Sequence, residues 1–374
     1  STKKMLVFGV LAQAALASSK YDVVLTSHSP KPTLSSTNPV GHGHSQCDLV
    51  FNPSFIPANP PYLNESGCLV RMCCDPTCHG HGAAGSAPAL SPTALPAERI
   101  GFAPCDLETG VCKDVLPDFN LDPSSDSEDP RAFLYNGWYY NFYFYGNPNS
   151  TKCSGPQCTV KLSKTKSPLV AESWQEVTVL PWHRNGCCLM KPKGQKSYCL
   201  WGEGPGPLPG LGISSTTDID SGVFEQHAWS VAAGVVSPLT NDSLWLLPLG
   251  NGQNEIKLEA GTHPVLLSTG DWIHFYAAAT PGWVANGNYT VGYVVLDGTD
   301  PTKIIQRSSA HLMVPTFDYE TLCEGDPNCP YLGERKNVIF LCSATPTQKK
   351  DVFRLFWGGG DGNVGTGLVQ VTLA

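Results

Sequence analysis

A strand–turn–strand pattern, repeated along most of the chain, limits the possible folds more than any other feature of the sequence. Its clearest copy runs from Arg131 to Tyr145, where Asn136 and Gly137 separate two aromatic segments. Asn-Gly between two such segments is a strong β-hairpin signal. The other four copies span residues 264–279, 338–357, 68–74 and 196–203, the last followed by a candidate outer strand at 211–215. The sequence therefore predicts five sheet-forming units.

The composition agrees with many short strands joined by tight turns. The 374 residues include 37 Gly and 32 Pro, and aromatic residues make up 10% of the chain against 15% for charged residues. This balance favours β-structure over a helical bundle. We expect an all-β chain closed radially as a five-bladed β-propeller, because closure hides most strand edges. A two-sheet sandwich with a second β-domain is the alternative.

The chain divides into three predicted segments. Residues 1–18 have the pattern of a secretory signal peptide, because Lys3 and Lys4 precede an apolar run that small residues follow. A buried strand or helix is the alternative for this run. Residues 19–46, which include a Pro/Ser/Thr-rich stretch, are expected to form an extended arm or linker, and residues 47–374 a single propeller. No later run is apolar over the length needed to span a bilayer, so we expect a secreted protein.

The cysteines and the glycosylation sequons agree with the prediction of a secreted protein. The 15 cysteines, most of them in close groups, predict at least five disulfides, although the pairing cannot be derived from spacing. The odd total leaves one thiol unpaired, and Cys342 in an apolar run is the best candidate for it. The four sequons place candidate N-glycans on Asn64, Asn149, Asn241 and Asn288.

The net charge and the histidine pairs limit which partners and cofactors the chain is expected to bind. With a formal net charge of -8 and no long basic run, the chain is not expected to bind nucleic acid. Two histidine pairs, His42 with His44 and His79 with His81, have ligand types suited to zinc or copper. In a secreted chain the neighbouring cysteines favour disulfides, so we expect these histidines to be solvated and no metal to be bound.

The segment Glu128-Asp129-Pro130-Arg131 opens the most aromatic hairpin of the chain. Pro130 biases Asp129 towards an extended conformation at the start of the strand. A carboxyl group fixed there can act as a general acid, and Arg131 can stabilise a neighbouring carboxylate or a bound anion. A turn with a surface ion pair is the plain alternative.

Further segments in a fixed order accompany this one. They are Val50–Pro53, Cys68–Arg71, Ser173–Trp174, Leu189–Pro192, Ala260–Pro264, Trp272–Tyr276, Val291–Asp297, Asp300–Lys303, Val314–Pro315, Asp318–Glu320, Val338–Phe340 and Trp357–Asp361. From about Val50 onwards the chain thus resembles glycoside hydrolase family 130, the β-mannoside phosphorylases and β-mannosidases. The resemblance implies a five-bladed propeller that acts on an oligosaccharide with inversion.

The resemblance also implies roles for single residues. Asp129 matches the general acid of the family, and Arg71 and Arg131 match basic or polar groups around its cavity. The remaining candidates for substrate or anion binding are Lys191, His263, Asp318, Glu320 and Asp361. Glu259 stands where the family usually has a glycine, and His263 where prolines are frequent, so the choice of substrate stays open.

Inverting hydrolysis requires a second carboxylate about 6.5–9.5 Å from the first, to leave room for a water. The candidates are Glu203, Glu259, Asp318 and Glu320, with Glu203 and Glu259 at strand ends. A phosphorylase would instead use inorganic phosphate as a co-substrate, held by a clamp drawn from Arg71, Arg131, His183, Arg184, Lys191 and Lys193. We expect no cofactor in either case. A non-catalytic propeller that binds glycans is the third possibility.

Overall fold

The computed structural model of the chain describes residues 20–35, 49–73, 98–116, 119–122, 127–145, 160–180, 182, 184–202, 210–227, 246, 248–249, 254–282, 288–326 and 328–374. The predicted signal peptide, the histidines His42, His44, His79 and His81, and the sequon residues Asn149 and Asn241 lie outside these ranges. Within the described ranges no helix combines the length and the hydropathy that crossing a bilayer requires.

The strands form five antiparallel sheets that follow one another along the chain. The first contains β2 (Leu49–Ile56), β3 (Gly67–Cys73) and β4 (Glu98–Pro104); the second β5 (Ser127–Tyr135), β6 (Trp138–Tyr145), β7 (Val160–Thr165) and β8 (Gln175–Leu180). The third contains β9 (Gly186–Leu189), β10 (Ser197–Trp201), β11 (Gly212–Thr216) and β12 (Glu225–Gln226). The fourth contains β13 (Lys257–Ala260), β14 (Val265–Leu266), β15 (Trp272–Ala279), β16 (Tyr289–Leu296) and β17 (Ile304–Arg307). The fifth contains β18 (Ile339–Pro346), β19 (Val352–Gly359), β20 (Asn363–Leu373) and, from the other end of the chain, β1 (Tyr21–His28).

Apolar clusters join each sheet to the next and close the ring. Side chains of the first and second sheets share one cluster, exemplified by Leu69 and Tyr143. Equivalent clusters join the second to the third sheet, the third to the fourth, and the fourth to the fifth. A further cluster returns from the fifth sheet to the first, where Phe356 stacks on Phe55 with ring centroids 5.6 Å apart. The predicted all-β, five-bladed propeller is therefore confirmed, and each sheet is one blade.

The predicted hairpins are confirmed where the turn signal is strong. Asn136 and Gly137 have φ values of 50° and 75°, as the two-residue turn between β5 and β6 requires. The two weaker copies are not hairpins. Residues 68–74 and 196–203 each supply a single middle strand, β3 and β10, whose partners lie on both sides along the chain. Strands β3 and β10 take up seven and five residues, and stretches this short have no room for a turn and a second strand.

Strand β1 closes the last blade. It lies within residues 19–46, where the sequence predicts an arm, but it pairs along its length with β20, from Tyr21 opposite Leu373 to His28 opposite Gly367. Tyr21 belongs to the core cluster of the last two blades, and Val23 and Leu25 pack against it. This alternation of inward apolar side chains makes the segment a strand of the propeller.

The disulfides agree in part with the prediction. Within the described part of the chain, three join cysteines close in sequence, Cys105–Cys112, Cys188–Cys199 and Cys323–Cys329, and Cys73 is also disulfide-bonded. The thiol of Cys342 is free, as predicted. The expectation of a single free thiol is wrong, because Cys68 and Cys187 are free and buried as well. Both side chains point into apolar clusters between blades rather than into loops.

Candidate active site

Two left-handed residues lie at matching positions on the inner strands of the first two blades. Asn52 has a φ of 49° and Asp129 a φ of 51°, and the pairing register of each strand shifts at that point. The expectation of an extended Asp129 is therefore wrong. Asn and Asp tolerate this conformation better than other side-chain-bearing residues, and a bulge re-aims the side chain that it contains. The amide Nδ2 of Asn52 donates a hydrogen bond of 2.6 Å to Oδ1 of Asp129.

These two residues open into a cavity of about 320 Å³ on the propeller axis. Its lining comes from strands and connecting segments of the first, second, fourth and fifth blades and from Arg184, which precedes β9 of the third. The lining residues are Asn52, Arg71, Glu128, Asp129, Arg184, Glu259, Tyr289, Glu334, Arg335, Phe340 and Asp361. Four predicted site residues, Arg71, Asp129, Glu259 and Asp361, are thus brought together in one cavity.

Arg71 links the acidic groups on one side of the cavity. Its Nε and Nη2 donate to the two oxygens of Glu98 at 2.9 and 2.8 Å, a bidentate arrangement. Its Nη1 lies 3.1 Å from Oε2 of Glu128 and 3.3 Å from Oδ1 of Asp129. Arg184 also donates to Glu128, and its Nε lies 3.9 Å from Oδ2 of Asp129. The two arginines therefore hold Glu128 and Asp129 side by side.

The two carboxyl groups have very different proton affinities. Burial raises the pKa of Glu128 to about 7, although Arg184 and Arg71 oppose the shift. Burial also acts to raise the pKa of Asp129, but Arg71, Arg184, Arg131 and the hydrogen bond from Asn52 outweigh it and hold that pKa well below its usual range. Near neutral pH any proton on this pair therefore lies on Glu128 in the unliganded cavity.

Glu259 enters the cavity from β13 in the fourth blade. It is almost fully buried and accepts a hydrogen bond of 2.6 Å from the hydroxyl of Tyr289 on its Oε1. The ammonium of Lys257, two residues earlier on the same strand, lies 2.5 Å from that oxygen and 3.0 Å from the Tyr289 hydroxyl. The carboxylate is thus fixed by two partners.

Arg131 lies beneath the cavity rather than in its lining. The side chain is fully buried, and its Nε donates to the carbonyl of Gly261 at 2.7 Å, which joins the second blade to the fourth. Nη1 donates to the carbonyl of Pro130 at 2.9 Å. This position gives Arg131 a structural role and a long-range electrostatic effect on Asp129.

The other predicted site residues lie elsewhere. Lys191 donates a long hydrogen bond of 3.4 Å to the carbonyl of Gly298, away from the cavity lining. Burial lowers the pKa of His263 to about 4, and its Nδ1 accepts from the backbone of Cys188.

Asp318 is exposed in the short helix α1 (Asp318–Thr321). Glu320 is buried and bonded to the backbone of Thr316 and the indole of Trp357. Glu203 lies outside the described residues.

Sequence reasoning missed several residues of this site. Glu334 and Arg335 line the cavity but belong to no sequence motif, and Tyr289 was marked only as the middle residue of the Asn288 sequon. Asn52 was detectable, because Asn52-Pro53 repeats the Asp129-Pro130 pair at the same position of the preceding blade.

Among the described residues, two groups have metal-ligand types close together, but each includes a disulfide-bonded cysteine. They are poor metal sites for that reason.

We expect Glu334→Gln to flatten the dependence of stability on pH. Burial raises the pKa of Glu334 to about 8 from 4.5, so the folded protein binds this proton more tightly than the unfolded chain does. The contribution to stability is complete below the unfolded pKa and is lost as the pH rises through the folded pKa. Thermal unfolding of both proteins between the unfolded pKa of 4.5 and the folded pKa of about 8 should favour the variant increasingly with pH, by several kcal/mol at the alkaline end, since each unit of pKa shift is worth about 1.4 kcal/mol. Parallel curves would contradict the assignment.

The sequence and the fold have counterparts among known proteins. A family model described as β-1,4-mannooligosaccharide phosphorylase, of glycoside hydrolase family 130, matches residues 249–373. A 1,2-β-oligomannan phosphorylase from Thermoanaerobacter sp. (strain X514) is 29% identical over 126 residues, which are 34% of this chain and 37% of the relative. A β-1,2-mannobiose phosphorylase from the same strain is 27% identical over 85 residues, 23% of this chain and 24% of that one. The matched regions thus span little more than a third of these relatives at most.

Solved structures match over nearly the whole chain. The β-1,2-mannobiose phosphorylase from Listeria innocua superposes with a TM-score of 0.62 at 14% identity, covering 93% of this chain and 96% of that one. A putative glycoside hydrolase from Parabacteroides distasonis gives a TM-score of 0.60 at 14% identity, with 89% and 94% covered. At these identities the likeness concerns the fold.

Proposed function

With the resemblance to glycoside hydrolase family 130 confirmed by the match of residues 249–373 and by the propeller fold, we propose that the protein hydrolyses β-linked manno-oligosaccharides with inversion. The substrate class comes from the two relatives, which are named for β-1,2-linked mannosides, and from the family model, which is described for β-1,4-linked ones. The axial cavity, of about 320 Å³, is the proposed site of cleavage.

The pairing of the cavity's cations with carboxyl groups is the observation that supports hydrolysis over phosphorolysis. The cavity lining contains five carboxyl groups, on Glu128, Asp129, Glu259, Glu334 and Asp361, against three guanidinium groups. Arg71 already contacts Glu98 and Asp129, Arg184 contacts Glu128, and the adjacent Lys257 contacts Glu259. A phosphate dianion would have to compete with these carboxylates for every one of those cations, whereas a neutral water does not.

In the proposed mechanism Asp129 gives a proton to the departing glycosidic oxygen. Glu259 accepts a proton from the water that attacks the anomeric carbon, so the carbon–oxygen bond to the leaving group breaks as the bond to water forms. Asp129 is ionised in the unliganded cavity, and its pKa must rise when the sugar binds. A bound sugar acts in that direction, because it excludes water and takes over hydrogen-bond donors that Asn52 and Arg71 direct at the carboxylate.

Phosphorolysis is the second candidate, and the names of the relatives favour it. Inorganic phosphate would then be a co-substrate rather than a cofactor, and Arg71, Arg184 and Arg335 would be its nearest guanidinium groups. The present carboxylate partners of Arg71 and Arg184 would have to be displaced or protonated first.

Product analysis decides between these functions. We would incubate the protein with β-1,2- and β-1,4-manno-oligosaccharides, with and without inorganic phosphate, and quantify mannose and mannose 1-phosphate. Hydrolysis predicts mannose at a rate that phosphate does not increase, and mannose 1-phosphate formed only with phosphate would overturn it. Retention of the oligosaccharides without any turnover would favour a glycan-binding propeller.

Secretion is a separate proposal, based on the charged and apolar pattern of residues 1–18 and on the sequons. Asn64 is exposed and accessible to a glycan, and Asn288 is partly buried. Expression of the whole chain in a eukaryotic secretory host should place it in the medium, with a mass that falls on enzymatic removal of N-glycans. Retention in the cell without glycosylation would contradict this proposal.

A further inference from the structure

The contacts of Glu259 set it apart from the other acids of the cavity. Asp129 and Glu128 contact arginines that other carboxylates share. Glu259 instead contacts a lysine from its own strand, and the side chains of Lys257 and Glu259 are only 2% and 3% exposed. Such a desolvated pair is costly to form unless its geometry is good, and here Tyr289 completes it.

The three groups form a closed triangle on one carboxylate oxygen. Both Lys257 Nζ and Tyr289 Oη lie within 2.6 Å of Glu259 Oε1, and the lysine also donates to the tyrosine hydroxyl at 3.0 Å. Tyr289 comes from β16, two strands away from β13 in the same blade, and it lines the cavity together with Glu259. The triangle therefore restricts rotation of the carboxylate at the cavity wall.

We propose that Lys257 and Tyr289 are positioning residues that hold Glu259 in its ionised form and in one orientation, so that it can accept the proton of the attacking water. This inference rests on the proposed hydrolysis. An ammonium in contact with a buried carboxylate favours the charged form, and a phenol that donates to it does the same. A base that is already oriented and ionised loses no time or free energy in rearrangement when water arrives.

Other charged or titratable groups also act on Glu259. Arg131 from β5 and Cys342 from β18 interact with it electrostatically. The cavity adds Glu128, Asp129, Glu334 and Asp361 as acids and Arg71, Arg184 and Arg335 as cations. Lys257 contacts Glu259 directly, so its removal should act strongly on that carboxylate.

The first test is the pH profile of kcat/KM for Lys257→Met, a change that keeps the length of the side chain and removes its charge. Loss of the cation disfavours the ionised carboxylate, so the acidic limb should move to higher pH by about one unit or more. Tyr289→Phe keeps the ion pair and should move the limb in the same direction by less. Lys161→Met is the matched control, because Lys161 is a largely buried lysine paired with Asp122 away from the cavity. An unmoved limb in both cavity variants would overturn the proposal.

The second test does not require activity and separates this inference from the proposed function. Infrared spectra at neutral pH would compare Lys257→Met with Lys257→Met/Glu259→Gln, so that their difference isolates one carboxyl group. We expect a protonated-carboxyl band in the single variant that disappears in the double variant, and no such difference between the wild type and Glu259→Gln. Equal spectra for the single and double variants would overturn the positioning role. If Lys257→Met does not fold, the same band is titrated with pH in the wild type and in Tyr289→Phe, each with and without Glu259→Gln, and it should appear at a higher pH in Tyr289→Phe than in the wild type. If the wild type cleaves no mannoside, the proposed function fails while this test still decides the role of Lys257.

Discussion

Replacing Asp129 by Asn should lower kcat for β-mannoside cleavage by about two to four orders of magnitude, because the amide cannot supply a proton to the departing oxygen. Asn keeps the shape of the side chain and suits the left-handed conformation at this position. Sugar binding should persist. Steady-state kinetics on manno-oligosaccharides and a binding titration measure the two quantities separately.

Stability provides the check on this result. We expect the midpoint of thermal unfolding of Asp129→Asn to change little, because Arg71 keeps Glu98 and Glu128 as partners. Asp271→Asn is a matched control. Asp271 is a buried acid bonded to Lys20 at 2.6 Å and to the hydroxyl of Tyr21 at 2.5 Å, away from the cavity, so its replacement should affect stability but not kcat. Full activity of Asp129→Asn would remove Asp129 from the mechanism.

Glu259→Gln is expected to have an effect of similar size on hydrolysis, a decrease in kcat of about two to four orders of magnitude, because the amide cannot accept a proton from water. KM should change less, since Gln retains the length of Glu and can still bond to Tyr289. The rate of mannose release from manno-oligosaccharides, with and without phosphate, is the measurement.

Glu255→Gln is the matched control for this variant. Glu255 is also buried in the fourth blade, where it is bonded to Arg307 at 2.7 Å and to the hydroxyl of Tyr276 at 3.0 Å, and it does not line the cavity. The control should keep the wild-type kcat. Unchanged hydrolysis by Glu259→Gln would show that another group activates the water, whereas a gain of phosphate-dependent cleavage would show that Glu259 excludes phosphate from the cavity.

The parts of the fold that local pattern decides were predictable from sequence. The Asn136-Gly137 turn between two aromatic segments specifies its own hairpin, because both residues tolerate the positive φ that the turn needs. Five predicted sheet-forming units indicated a closed ring, and five blades are present although two of the units proved to be single strands. The pairing of β1 with β20 was not predictable in this way, since the two strands lie at opposite ends of the sequence and no local signal connects them.

The residues of the candidate site likewise divide into those that sequence patterns predicted and those that they did not. Asp129, Arg71, Glu259 and Asp361 belong to segments with a family resemblance, and all four line the cavity. Glu334 and Arg335 come from the irregular segment between α1 and β18, where neither period nor motif marks a functional residue. The partnership of Lys257 with Glu259 follows from alternation along β13, but its tight contact depends on burial, which sequence alone does not reveal.

The position of β1 has a consequence for biosynthesis. During translation β1 emerges from the ribosome long before its partner β20. The two strands can pair only after β20 has been made, so the entropy cost of closing this long loop arises at the end of folding. Phe340 and Asp361 of the cavity wall also come from this last blade. A nascent chain therefore completes its cavity only when the final blade assembles. A ribosome-bound intermediate that lacks this blade has no complete cavity.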